Sequence, residues 1–333
     1  MGLICEKARA LAEKYAEAAF EPALSIAAMK NGEREFLRAE NSRLVSGEDT
    51  RAYEYCSITK TFTGSLLCKL LSEKKISLTD RVSDYIKGLP EGYYYPTIAQ
   101  LATHTAGYGE TLPLADGSLL FPCDRPDIAS VNPFERYTEA DVDTFAANAR
   151  LTQERFEPVY SNLGITILAR IIGIIEGVSA REALERFFKT DLKLEGITLG
   201  RPASNYVTGR DENGADSGNW LWGNTPFVCM GGLYGSARAL LDYAEHQLEN
   251  KPPYLALGHE PRERCFERGA MTGLCWLIYE RDGIVWHNGG TGCFKTFFGF
   301  CKRKNAAVAV LSNQKARGGV TSEEIGLEIL RGI

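Results

Sequence analysis

The chain has 333 residues, 44% of them hydrophobic and 24% charged, with a formal charge of −5 and a pI near 5.6. That length supports one large domain or two small ones with a sizeable core. The acidic balance, with no long lysine/arginine cluster, argues against nucleic acid as a partner. Met1 to Phe20 has an amphipathic helix pattern, with Ile4, Ala8, Leu11 and Tyr15 at helical spacing. It lacks the basic start and uninterrupted apolar stretch of a secretory signal, so a cytoplasmic location is expected. The longest apolar run, Ile165 to Ile175, contains Arg170 and is too short to span a bilayer. No membrane span is expected. Nine cysteines without a C-x-x-C pair read as free, mostly buried thiols. The four histidines show no metal-ligand spacing, and neither metal nor cofactor is expected.

After the first helix, Asn31-Gly32 between two alternating segments predicts a β-hairpin. A helix is predicted from Ser57, with Ile58, Phe62, Leu66 and Leu70 as its apolar stripe. Residues from about 80 to 215 read as helices and loops. One helix begins near Asn162 and ends at Gly177, and another opens with a capping box at Ser179-Ala180-Arg181-Glu182. The Gly/Pro/Asp-rich passage from Gly107 to Pro133 reads as a surface insertion over a pocket. Strand character returns after Gly218, and a last helix opens with Thr321-x-x-Glu324 and carries Ile325, Ile329 and Ile333 on one face. Strands at both ends with helices between imply one sheet assembled from both termini. A single domain over 1–333 is expected, its sheet part from about 1–50 plus 216–333 and its helical part about 51–215.

Ser57-Ile58-Thr59-Lys60 places a hydroxyl and an amine three apart on one helical face. A serine needs a neighbouring base to act as a nucleophile, and a lysine can supply it. The motif alone is weak, because Ser72-Glu73-Lys74-Lys75 fits it too, at the polar end of the same helix. No G-x-S-x-G elbow exists. Lys30-Asn31-Gly32 precedes the serine in a turn and cannot line the same site.

Context separates the two serines. YCSITKTFTGSLLCKLLSEKKISLTDRVSDYI resembles the serine β-lactamase-related family, in which S-x-x-K-x-F-T opens a helix. TIAQLATHTAGY is similar to that family's L-x-T-H-T-[SA]-G segment. Tyr160-Ser161-Asn162 is similar to its Y-x-N element, and His287-Asn288-Gly289 to its K-T-G or H-x-G strand. MGGLYGSARALLDYA resembles a further passage, with Gly235 where a serine is usual and Ala239 where an acid is usual. The resemblance runs from roughly residue 20 to 315.

It implies an α/β (α+β) β-lactamase/transpeptidase-like fold: an antiparallel sheet flanked by terminal helices, with an inserted, mainly helical subdomain. It implies a serine hydrolase acting through an acyl-enzyme on Ser57, with Lys60 and Tyr160 handling protons. Tyr160 is implied as general base, which requires its pKa to fall from about 10 toward 7. Asn162 would hold the substrate carbonyl and the lysine together, and Gly289 would leave the strand bare for the acyl group. The backbone N–H groups of Ser57 and Gly290 would form the oxyanion hole. His287, with an ordinary pKa near 6.5, would recognise substrate with a hydrogen bond and gain charge toward pH 6. His104 reads as a structural hydrogen-bonder. Trp220, Trp222 and Phe227 read as pocket wall or as core. The implied partner is a small-molecule ester, β-lactam or D-amino-acid peptide, with ester and peptide bonds favoured. A catalytically idle binding module is the rival.

Overall fold

A computed structural model describes residues 2–21, 24–123, 127–128, 130–202 and 204–333. Asn31 and Gly32 sit at φ 51° and 85°, the paired positive values of a two-residue hairpin turn that matches strand twist. They join β1 (Leu24–Lys30) to β2 (Glu33–Glu40), with Lys30 opposite Glu33. β3 (Arg43–Ser46) completes the N-terminal strands. The C-terminal strands are β4 (Glu263–Arg264), β5 (Met271–Thr272), β6 (Leu277–Tyr279), β7 (Ile284–Thr291), β8 (Phe294–Cys301) and β9 (Ala306–Ser312). All nine make one antiparallel sheet ordered β4-β5-β6-β7-β8-β9-β1-β2-β3. The two chain ends therefore meet at the β9–β1 pair.

Five helices frame the sheet and the cleft: α1 (Glu6–Ala18), α2 (Thr59–Ser72), α3 (Asn162–Glu176), α4 (Ala237–Glu249) and α5 (Ser322–Gly332). α1 starts later than its sequence pattern suggested. Ile4 precedes it, and its buried face is Ala8, Ala12, Tyr15 and Ala16, with Leu11 only half-buried. That face and Ile325 and Ile329 of α5 cover one side of the sheet over Ile26, Val308 and Val310. A fully buried isoleucine contributes about 1.5–3 kcal/mol, whereas an exposed ion pair such as Lys7–Glu328 contributes about 0–1. The apolar face, more than the ion pair, holds α1 to α5. The opposite side of the sheet, with Ala27, Ala307, Ala309 and Phe298, packs on α4 and the helical part. With both faces covered, β9 is buried at all seven positions.

α2 is enclosed on nearly every side. Beyond the expected stripe it buries Lys60, Thr61, Thr63 and Ser65, and the small hydroxyls bond outward: Thr63 to the Cys229 carbonyl, Ser65 with the Tyr243 hydroxyl. α3 is capped by Ser161, whose Oγ accepts from the Gly164 N–H, and ends at Gly177 in the left-handed conformation. Ser179 caps the next helix by accepting from the Glu182 N–H. No single helix among the described residues is long and apolar enough to cross a membrane. Trp220, Trp222 and Phe227 are core: each is at most 4% exposed, and Phe134 stacks on Trp222 and Phe227. Gly235 has a steric reason, since a side chain there would meet the Tyr55 hydroxyl, which donates to the Ser236 carbonyl. All nine cysteines are free, six of them buried.

Candidate active site

The chain enters α2 through a tight 3-10 turn, Cys56–Ile58. Cys56 holds φ at 55°, a left-handed conformation costly for a residue with a side chain. It is held there by full burial, with its Sγ 2.9 Å from Thr291 Oγ1. The turn presents Ser57 half-exposed at the head of α2. Lys60, one turn on, is 0% exposed; its Nζ donates to Ser57 Oγ at 3.0 Å and to the Met230 carbonyl at 2.8 Å. Burying an ammonium without a countercharge favours the neutral amine, and desolvation lowers the Lys60 pKa to about 7.

Tyr160 arrives from the segment before α3, its hydroxyl donating to Ser57 Oγ at 2.8 Å. His104 clamps that segment. Its carbonyl accepts from the Val159 N–H at 3.0 Å, its Nδ1 accepts from the Ser161 N–H at 3.1 Å, and its ring stacks on Tyr160. Burial holds His104 well below the ordinary histidine pKa, hence neutral. The lowering expected of Tyr160 is not what its surroundings produce. Desolvation raises its pKa; the Ser57 hydrogen bond opposes this, and the Glu110 charge adds to it. Tyr160 is therefore a protonated phenol at neutral pH, and the group poised to take a proton is Lys60.

Asn162 lines the cleft on the first turn of α3, but Ser161 is the cap. Its Oδ1 is buried without a partner, and the expected bond to Lys60 is replaced by the Met230 carbonyl. Gly289 and Gly290 line the opposite wall on β7. Gly289 must be bare, because a Cβ there would lie 2.6 Å from Cys56 Cβ and 2.7 Å from the Tyr55 carbonyl oxygen. This close approach brings the Gly290 backbone beside Ser57. His287 is not on the cleft wall. It is 1% exposed, its Nδ1 lies 2.5 Å from the Asn288 carbonyl, and its ring centroid is 6.4 Å from that of Tyr160. Desolvation lowers its pKa to about 3, so the charge expected toward pH 6 does not develop.

The cleft encloses about 830 Å³. Four of its charged residues escaped the motif reading: Lys295, Lys315, Glu110 and Glu323. Lys295 had a signal, since the tight β7–β8 turn pairs Thr291 with Phe294 and so sets Gly290 opposite Lys295. Glu323 comes from the first turn of α5, and Lys315 and Glu110 reach the cleft through loops whose course no local pattern gives. The Gly107–Pro133 passage does border the site, through Glu110 and through Phe121 and Cys123, which line an adjoining hollow with Asn162; residues 124–126 and 129 lie outside the described residues. Behind the site, Glu54 accepts from Thr291 Oγ1 and from the Trp220 N–H. The competing Ser72 is an exposed helix end whose hydroxyl donates to the Lys69 carbonyl, and Lys75 pairs with Glu73 and Glu176. Among the described residues, no group of three or more His, Cys, Asp or Glu is placed to hold a metal.

The Beta-lactamase family profile matches residues 8–329. Protein flp of Staphylococcus aureus strain MW2 is 25% identical over 325 residues, covering 88% of this chain and 59% of that protein. The chain thus spans just under three fifths of that relative's length. The octameric penicillin-binding protein homologue from Pyrococcus abyssi superposes with a TM-score of 0.75 at 23% identity, over 97% of this chain and 76% of that one. The beta-lactamase/D-alanine carboxypeptidase from Pseudomonas syringae gives 0.75 at 17% identity, over 97% of each chain. With the profile match over nearly its whole length and the shared fold, the chain belongs to the β-lactamase family.

Proposed function

We propose that this protein is a serine hydrolase that cleaves a carbonyl–heteroatom bond of an ester or amide through an acyl-enzyme on Ser57. The observation that carries the reading is the pair of contacts on Ser57 Oγ: Lys60 Nζ at 3.0 Å and Tyr160 Oη at 2.8 Å. With its pKa lowered by burial to about 7, Lys60 supplies a neutral amine near neutral pH. Neutral Lys60 takes the Ser57 proton as Oγ bonds to the substrate carbonyl carbon. The carbonyl electron pair moves onto oxygen, toward the backbone N–H groups of Ser57 and Gly290. Tyr160 then gives its proton to the departing nitrogen or oxygen, the acyl bond to it breaks, and the Lys60 ammonium restores the phenol proton. Water repeats the sequence on the acyl-enzyme and frees Ser57. Tyr160 is thus a proton carrier between Lys60 and the leaving group.

The family likeness supports the reaction class, and the P. syringae relative is named for both a β-lactam and a peptide activity. A fluorescent fluorophosphonate tests the reading. Wild type and Ser72→Ala should label, Ser57→Ala should not, and peptide mass mapping should place the adduct on Ser57. Labelling that survives Ser57→Ala means another nucleophile.

A further inference from the structure

The charges around the cleft are sorted by wall. Lys295 stands opposite Gly290 across the β7–β8 pair. Its Nζ lies 2.6 Å from where a Cβ on Gly290 would sit, directly over the bare strand beside Ser57. Lys315, from the loop after β9, lines the same wall, and both side chains are exposed. Neither ammonium has a hydrogen bond or ion pair among the described residues, whereas Lys7, Lys69, Lys75 and Lys189 each have one. The carboxylate on this wall, Glu323, accepts from Asn288 Nδ2 at 2.6 Å. Two ammonium groups against one engaged carboxylate leave the wall cationic.

On the α3 side, Glu110 is exposed, lines both the cleft and the adjoining hollow, and has no hydrogen bond or ion pair among the described residues. Its charge is close enough to act on Tyr160. The hollow, about 300 Å³, adds Phe121 and Cys123 as neighbours for a side chain. Unpaired charges of opposite sign on two walls favour a ligand carrying both complements, since each makes a charge-assisted contact and a misplaced charge is repelled.

We propose that the cleft takes its substrate as a zwitterion, an unblocked short peptide whose carboxylate meets Lys295 and Lys315 and whose ammonium meets Glu110. This rests on the acyl-transfer reading and supplies its substrate class. It also relocates the cation of the site: the buried, neutral His287 offers none, and Lys295 from the neighbouring strand does.

Calorimetric titration of Ser57→Ala protein, which cannot turn over, separates binding from chemistry. The probes are alanylalanine in D,D and L,L forms, each free, N-acetylated, C-amidated or blocked at both ends. For the form that binds, each block should weaken binding about tenfold and both together about a hundredfold. Glu110→Gln should abolish the acetyl penalty and keep the amide penalty, and the double variant Lys295→Met, Lys315→Met should do the reverse. Unchanged thermal midpoints exclude misfolding. Equal binding of all four forms, penalties that persist in the variants, or no binding at millimolar concentration would overturn the proposal. Loss of Ser57 labelling in wild type would instead strike the acyl-enzyme reading, whatever the titration gives.

Discussion

In the proposed reaction, Lys60 is the residue on which the chemistry turns. A lysine that is 0% exposed and bonded to a serine and a carbonyl cannot hold its charge as a free amine would. Its amine is also 5.0 Å from the Tyr160 ring centroid, so the two share one small space around Ser57 Oγ. If they pass one proton between them, removing either breaks the relay. Lys60→Ala and Tyr160→Phe should then each lower kcat/KM nearly as much as the double mutant, on the order of 10³-fold or more. Losses that multiply in the double mutant would mean two independent roles. The motif spacing placed Ser57, Lys60 and Tyr160, but not the direction in which the Lys60 and Tyr160 pKa values shift. Desolvation depends on what the rest of the chain packs around them, and the same applies to His287.

At the level of elements, the short strand Tyr53–Glu54 joins the halves of the expected oxyanion hole. Glu54 is 1% exposed, three residues before Ser57, and it receives Thr291, next to Gly290. Desolvation holds its carboxyl at a pKa of about 8, against an ordinary 4.5. A carboxyl whose folded pKa is raised binds its proton more tightly folded than unfolded. Its contribution to stability is full below pH 4.5 and is lost as the pH rises through 8. Glu54→Gln cannot ionise, so its melting temperature should gain on wild type from pH 5.5 to 8.5. Lys60 titrates in both proteins and cancels in the difference. Parallel curves would refute a titrating Glu54. Nothing in the sequence marked Glu54, because its partners Trp220 and Thr291 are distant in the chain. The Asn31-Gly32 hairpin and the Thr321–Glu324 cap were legible because their chemistry is local.

Across the whole molecule, the sheet is what brings the wall of the cleft to Ser57. β1 from one end of the chain pairs with β9 from the other, and Tyr15 of α1 bonds Ser312 at the end of β9. This closure was readable from strand character at both termini. The nearness of Lys295 to the site was only half readable: the tight turn sets it opposite Gly290, but its approach to Ser57 depends on β7 lying against Tyr55 and Cys56, which only the bare Gly289 permits. In the proposed reaction Ser57 is the nucleophile and Lys60, its pKa lowered to about 7, activates it. The rate of fluorophosphonate labelling from pH 5 to 9, with the adduct mapped by mass spectrometry, measures both parts at once. The account predicts an adduct on Ser57 and a rate that rises with pH through a single midpoint near 7. An adduct on another residue, or a Ser57 rate that is flat to pH 9, would contradict it.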